Sequence, residues 1–157
     1  MRRSDREQSL EFSLALIDRC QHGTVAFATE DGAPYCIPLS LVRVGDKLYF
    51  HCAKEGHKTD LLRHASRVCI TFVGADEPAF VAPAMYTTYF QSAVVIGRAS
   101  EVTEPEEKAE ALRALCRKLT PHDLGEGLEK AIEKSLSVTA VWRVSMDQVT
   151  GKAKLKK

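Results

Sequence analysis

Short apolar runs rich in β-branched and aromatic residues follow one another through the first half of the chain, and the turns between them are of the kind that reverses a strand. Thr24 to Thr29 is closed by Glu30-Asp31-Gly32, Tyr35 to Val44 is closed by Gly45-Asp46, and Leu48 to Cys52 and Val68 to Val73 come after. Asp-Gly and Gly-Asp between such runs are hairpin signals. Consecutive reversals make an antiparallel meander and not a series of βαβ units. The fold class this predicts is mainly β, in the α+β sense, with helices at the periphery.

Those helices have their own patterns. Ser4 with Glu7 forms a capping-box pattern, and Leu10, Leu14 and Ile17, with Phe12 and Leu16 nearby, make an apolar stripe, which predicts a covering helix over about 5–20. Leu61 and Leu62 among charged neighbours predict a short helix over His57 to His64. Thr103 with Glu106 repeats the capping pattern around Pro105, and Leu112, Leu115 and Leu119 line one face of a helix that ends before Pro121. A third covering element is predicted over Glu126 to Ser135, then strands from Ser137 to Met146 and from Val149 to Leu155, with a turn at Asp147-Gln148.

Two residues punctuate the strands. Pro38 cannot donate to a ladder, so its strand is an edge or is bulged there. Gly97 lies in Met85 to Ala99, a run dense in β-formers that makes one long or two consecutive strands, and it marks a bulge, a bend or a close approach of backbone. Trp142 reads as core or interface packing, and Tyr86, Tyr89 and Phe90 as core or dimer interface. His122-Asp123 falls in a glycine-bearing loop and is read as structural.

At 157 residues and 45% hydrophobic, the chain supports one core and one domain, residues 1–157. A net charge of +1 removes the broad electrostatic case for nucleic acid or an anionic membrane. The basic tail at about 152–157 alternates lysines with Ala153 and Leu155, as a fraying strand does. No apolar run follows Met1-Arg2-Arg3 and no stretch nears a membrane span, so a cytoplasmic protein is the expectation. Five widely spaced cysteines in apolar segments suit buried, reduced thiols. Zinc on His51, Cys52 and His57 would lack the second cysteine pair usual in structural sites, and no metal is expected.

The chemistry concentrates at Tyr49-Phe50-His51-Cys52-Ala53-Lys54-Glu55-Gly56-His57-Lys58, a strand that ends in a cationic turn and restarts as a helix. The N–H groups of a helix start, joined by Lys54, His57 and Lys58, attract an anion, which makes a phosphorylated cofactor the first hypothesis. Gly-x-Gly-x-x-Gly, Walker-type, Gly-x-Ser-x-Gly and His-Glu-x-x-His motifs are all missing. The phosphate must then sit on a barrel or at a subunit interface.

The order of these segments closely resembles the pyridoxamine 5′-phosphate oxidase-like FMN-binding split barrels, and more narrowly their 5-nitroimidazole-resistance (NimA-type) branch. It rests on Pro-Tyr-Cys-Ile-Pro-Leu, His-Cys-Ala-Lys-Glu-Gly-His-Lys, Arg-Val-Cys-Ile-Thr-Phe, Tyr-Thr-Thr-Tyr-Phe-Gln-Ser-Ala-Val-Val-Ile-Gly-Arg-Ala and a closing Val-Thr-Gly-Lys, and spans roughly residues 2 to 154. The resemblance implies a six-stranded antiparallel Greek-key barrel and a homodimer with FMN at the interface. By position it implies that Lys54, His57 and Lys58 hold the phosphate, and that Ile37, Pro38 and Leu39 lie along the isoalloxazine edge. It sets His51, Cys52 and Ala53 beside the ring and ribityl chain, with Ser92, Ala93 and Val94 completing the contacts. His51 matches the histidine facing the flavin and is the substrate-side, catalytic candidate, able to donate a proton. The activity implied is NADH- or NADPH-driven reduction of a small acceptor such as a nitroaromatic. The alternatives are a flavin-binding protein without turnover, serving storage, sensing or regulation, and a split barrel that binds haem or a deazaflavin instead.

Overall fold

The computed structural model describes residues 2–156, so Lys157 of the predicted tail lies outside the described residues. A 3-10 turn at Ser4–Arg6 and strand β1 (Glu7–Gln8) lead into helix α1 (Leu10–Arg19). Strands β2 (His22–Ala28), β3 (Pro34–Ser40), β4 (Val42–Val44) and β5 (Lys47–Ala53) follow, then helix α2 (His57–His64). The long strands β6 (Arg67–Val81) and β7 (Met85–Glu101), helices α3 (Pro105–Leu119) and α4 (Leu128–Leu136), and strands β8 (Thr139–Ser145) and β9 (Gln148–Lys154) complete the chain.

Nine strands stand against the six that the resemblance implies, and the pairing explains the difference. β3 and β4 are one path broken at Leu41, the first half pairing with β2 and the second with β5. β8 and β9 are likewise one path. Both run antiparallel to the same strand, β8 along Ala99–Glu101 of β7 and β9 along Phe90–Ile96. The predicted turn at Asp147-Gln148 is therefore a corner in a bent strand. Merging these two pairs and setting aside the two-residue β1 leaves six continuous staves. They close a ring, because the path β3-β2-β6-β7-β8-β5-β4 begins and ends on the same stave.

Gly97 marks the corner. Between the Ala99–Val144 and Ile96–Gln148 pairs, three steps along β7 face four along its partner, the one-residue excess of a bulge. A Cβ on Gly97 would lie 1.7 Å from the Ser145 carbonyl oxygen, so a side chain there would push the two strands apart.

The barrel is filled by Val25, Leu41, Leu48, Phe50, Ile70, Phe72 and Val95, all fully buried, and α1 adds Leu16 and Ile17 to the same core. Ser9, not Ser4, caps α1, its hydroxyl accepting from the Phe12 N–H at 3.1 Å. The helix starts late because Glu7 and Gln8 are held in extended form against Lys152 and Gly151 of β9. Lys152 to Lys154, read from sequence as part of a tail, thus belong to the sheet. Trp142 is buried in the barrel core.

A second layer covers one outer face. Ala109, Leu112 and Leu115 of α3 and Ile132 of α4 pack on Val42, Tyr49 and Val141. Pro105 sits in the first turn of α3, but the cap is Glu104 and no side chain bonds the helix start, so the Thr103–Glu106 capping box does not form. Lys118, near the end of α3, donates to the Ile17 carbonyl at 3.2 Å and the Leu41 carbonyl at 2.8 Å. Burial lowers its pKa below the ordinary lysine value. Lys118→Met keeps the apolar stem and leaves both carbonyls without that donor, and is expected to cost about 1–3 kcal/mol in urea unfolding.

Beyond Val73, β6 and β7 continue past an irregularity as a two-stranded arm, whose tip exposes Phe80, Met85 and Tyr86. Tyr86 is 87% exposed, so it is not part of the core. Among the described residues no helix is long and apolar enough to cross a membrane.

Candidate functional site

The barrel wall opens where β3 leaves β5. β4 pairs only with Lys47–Tyr49, so Phe50–Ala53 has no ladder partner on that side, while β3 pairs along its whole length with β2. The two unpaired edges still lie close to each other. Continuing the Val42–Tyr49 register would set Leu39 beside Cys52 and Pro38 beside Ala53. The result is a wedge with its vertex at Leu41. Its open end lies by Tyr35 and His57, whose rings meet edge to face with centroids 4.8 Å apart.

This edge position is the one predicted for Pro38, which has no N–H to offer a further strand. Side chains alternate along both borders. Ile37 and Leu39 turn inward against the core and Pro38 is exposed; on β5, Cys52 packs toward the core while His51 and Ala53 point outward. His51 and Cys52 therefore occupy opposite faces and do not converge with His57 on one ion.

The cationic turn closes the open end. Gly56 has φ +128°, a value that L residues rarely adopt, and it caps α2 without any side-chain bond to the helix start. The Asp60 N–H makes the first helical bond, to Gly56 O at 3.0 Å, so the N–H groups of His57, Lys58 and Thr59 precede the hydrogen-bond ladder. Thr59, fully buried, donates to Ala53 O at 3.3 Å and ties the helix start to the strand end. Arg63, absent from the predicted set, donates to Lys54 O at 3.2 Å and pairs with Glu101 at 3.6 Å. Among the described residues Lys54, His57 and Lys58 form no ion pair. Lys54 and His57 are exposed and Lys58 is half-buried.

Ser92, Ala93 and Val94 lie elsewhere. They occupy the middle of β7, paired with β6 on one side and β9 on the other, and Ala93 is fully buried in the core. Ser92 donates to Lys152 O at 3.4 Å. Arg98 pairs with Arg67, just beyond α2, and Ser92 lies six residues back along β7, roughly 20 Å away at strand rise. Within one chain the two predicted groups are not brought together.

His51 borders a recess of about 190 Å³ between the β5–β8 face and helices α3 and α4. Its pKa is lowered, first by desolvation and then by the charge of Lys58. Next to it on the outer face, the Tyr49 hydroxyl donates to Glu107 at 2.9 Å, and Arg143 donates to both oxygens of that carboxylate at 3.1 and 3.0 Å. Burial and the Glu107 carboxylate push the Tyr49 phenol up to about 12, so it stays neutral. This network, which no sequence motif signals, anchors α3 to the strands beneath the recess.

A model of the family described as pyridoxamine 5′-phosphate oxidase matches residues 9–153. The chain belongs to the pyridoxamine 5′-phosphate oxidase family. Solved structures share the fold. A candidate 5-nitroimidazole antibiotic resistance protein from Bacteroides thetaiotaomicron VPI-5482 superposes with a TM-score of 0.80 at 26% identity, over 92% of this chain and 84% of that one. The flavocytochrome Anf3 from Azotobacter vinelandii gives 0.82 at 23% identity, over 99% and 72%. A candidate pyridoxamine 5′-phosphate oxidase from Listeria innocua gives 0.57 at 18%, over 87% and 91%. No curated protein matches the sequence. The wedge and the cationic turn of this pyridoxamine 5′-phosphate oxidase family member both fall inside the matched span.

Proposed function

We propose that the chain binds FMN along the wedge between β3 and β5, and uses it to pass electrons from NADH or NADPH to a small acceptor such as a nitroaromatic. The observation that carries this reading is the helix start at Gly56, open at the end of a strand edge with no ladder partner. Its residues fit the cofactor at both ends. The N–H groups at the helix start with Lys54, His57 and Lys58 suit a phosphate, and the borders at Ile37, Pro38 and Leu39 and at Cys52 and Ala53 offer backbone donors and acceptors to the polar rim of a flat ring. FMN, when bound, supplies the hydride and electron chemistry.

The chain's own residues do the rest. Lys54, His57 and Lys58 hold the phosphate, the strand borders fix the plane of the ring, and a ring nitrogen of His51 exchanges a proton with the acceptor. Ser92 and Val94 reach such a site from a second copy, because along β7 they lie six and four residues from Arg98, roughly 20 and 13 Å at strand rise. The working unit is then a homodimer, for which the exposed arm tip at Phe80, Met85 and Tyr86 offers apolar surface.

The visible absorption spectrum of the purified protein tests this directly. Flavin bands are expected, and anaerobic NADH or NADPH should bleach them. A colourless protein that takes up no added FMN overturns the binding site. Bands that neither nucleotide bleaches overturn the oxidoreductase and leave a flavin-holding protein.

A further inference from the structure

The recess at His51 is too small for a flavin and is bordered by side chains from four elements, β5, β8, α3 and α4. We propose that it binds a single-ring aromatic molecule, with the molecule's polar substituent turned toward His51 and Thr139. Its volume is about 190 Å³, and its walls are mainly Leu112, Leu115, Leu128 and Ile132. An apolar cavity of about 150 Å³ holds benzene, so the space suits one ring and a small substituent.

The recess stays open for a stated reason. On α4, exposed Ala131 and half-buried Ser135 stand one turn apart along the rim of the recess while buried Ile132 packs on the strands, so the small side chains at the rim leave it open. The Ser135 hydroxyl is engaged, donating to Ala131 O at 2.8 Å. The strand floor is different. Among the described residues the side chains of His51 and Thr139 make no hydrogen bond, so each keeps its capacity for a ligand. Partial desolvation and the charge of Lys58 lower the imidazole pKa, which favours the neutral form beside an uncharged ring. One end of the recess is thus polar and the remainder apolar, as in small-molecule sites generally. That the occupant is the electron acceptor rests on the FMN reading; that the recess binds such a ring does not.

Nitrobenzene serves as the probe. Cys116 lines the recess, whereas Cys36 lies exposed on β3, so maleimide labelling of each thiol, followed by peptide mass spectrometry, reads occupancy with an internal control. Nitrobenzene is expected to slow labelling of Cys116 about fivefold and leave Cys36 unchanged, as most of the sites fill. Ala131→Phe fills the recess from an exposed position on α4, and should weaken nitrobenzene binding by about tenfold or more in ligand-observed NMR, with FMN content preserved. Glu133→Phe, exposed on the same helix and not lining the recess, should bind like the native chain. Unprotected Cys116 in protein that holds FMN overturns the recess alone, as does native affinity in Ala131→Phe. Protected Cys116 in protein that takes up no FMN supports the recess and overturns the flavin reading instead.

Discussion

Lys54→Ala combined with Lys58→Ala is expected to strip most of the FMN from the protein. Each charge-assisted bond to a phosphate contributes about 1.5–3 kcal/mol, so losing both amounts to about 3–6 kcal/mol, or roughly a hundred- to ten-thousandfold in affinity. Neither lysine has an ion-pair partner among the described residues, so the double variant leaves no orphaned carboxylate and should fold as the native chain does. Fluorescence titration with FMN and, in parallel, riboflavin separates the phosphate from the ring. Riboflavin affinity should hardly change. Equal losses for both ligands would mean that the turn grips something other than the phosphate, and native FMN affinity would move the site elsewhere.

His51→Ala is expected to retain FMN and lose turnover by about a hundred- to ten-thousandfold, the range of a positioned proton-transfer group. The pH dependence has a definite sign. The imidazole pKa in the folded chain lies below its ordinary 6.5, so donation from the imidazolium should strengthen as pH falls through the lowered value, on the acid side of 6.5. That limb should vanish in the alanine variant. Stability runs the other way: below about 6.5 the unfolded chain binds the proton more readily than the folded one, so folding weakens as pH drops toward the lowered value. Unchanged turnover in His51→Ala would remove the residue from the reaction.

Local chemistry made much of this molecule legible in its sequence. Asp31-Gly32 and Gly45-Asp46 lie at the turns that follow β2 and β4, α2 spans the predicted residues, and the turn at Lys54–Lys58 is where strand gives way to helix. What escaped was decided by distant partners. Gly74, Asp76, Glu77 and Pro78 look unlike a strand, yet β7 holds most of that segment in a ladder. Ser4, the cap that its spacing to Glu7 predicts, gives way to Ser9 because β9 claims Glu7 and Gln8. A corner and a hairpin share the same local signals at Asp147-Gln148, and only the shared pairing with β7 tells them apart.

The candidate site divides along the same line. Residues contiguous in sequence, from His51 to Lys58, could be found together, but which face each one takes followed from the inward turn of Phe50 and Cys52. The pairing of Arg63 with Glu101, the grip of Lys118 and the Glu107–Arg143 pair had no motif behind them, since each depends on a meeting between elements far apart in the chain.

The bend at Leu41 has a consequence for how such a protein adapts. The strand that changes allegiance there forms one jaw of the opening, and an ammonium group from the outer helix grips it at the pivot. A change in the outer helix that shifts this ammonium would therefore alter the angle between the two strand borders while both strands keep their sequence.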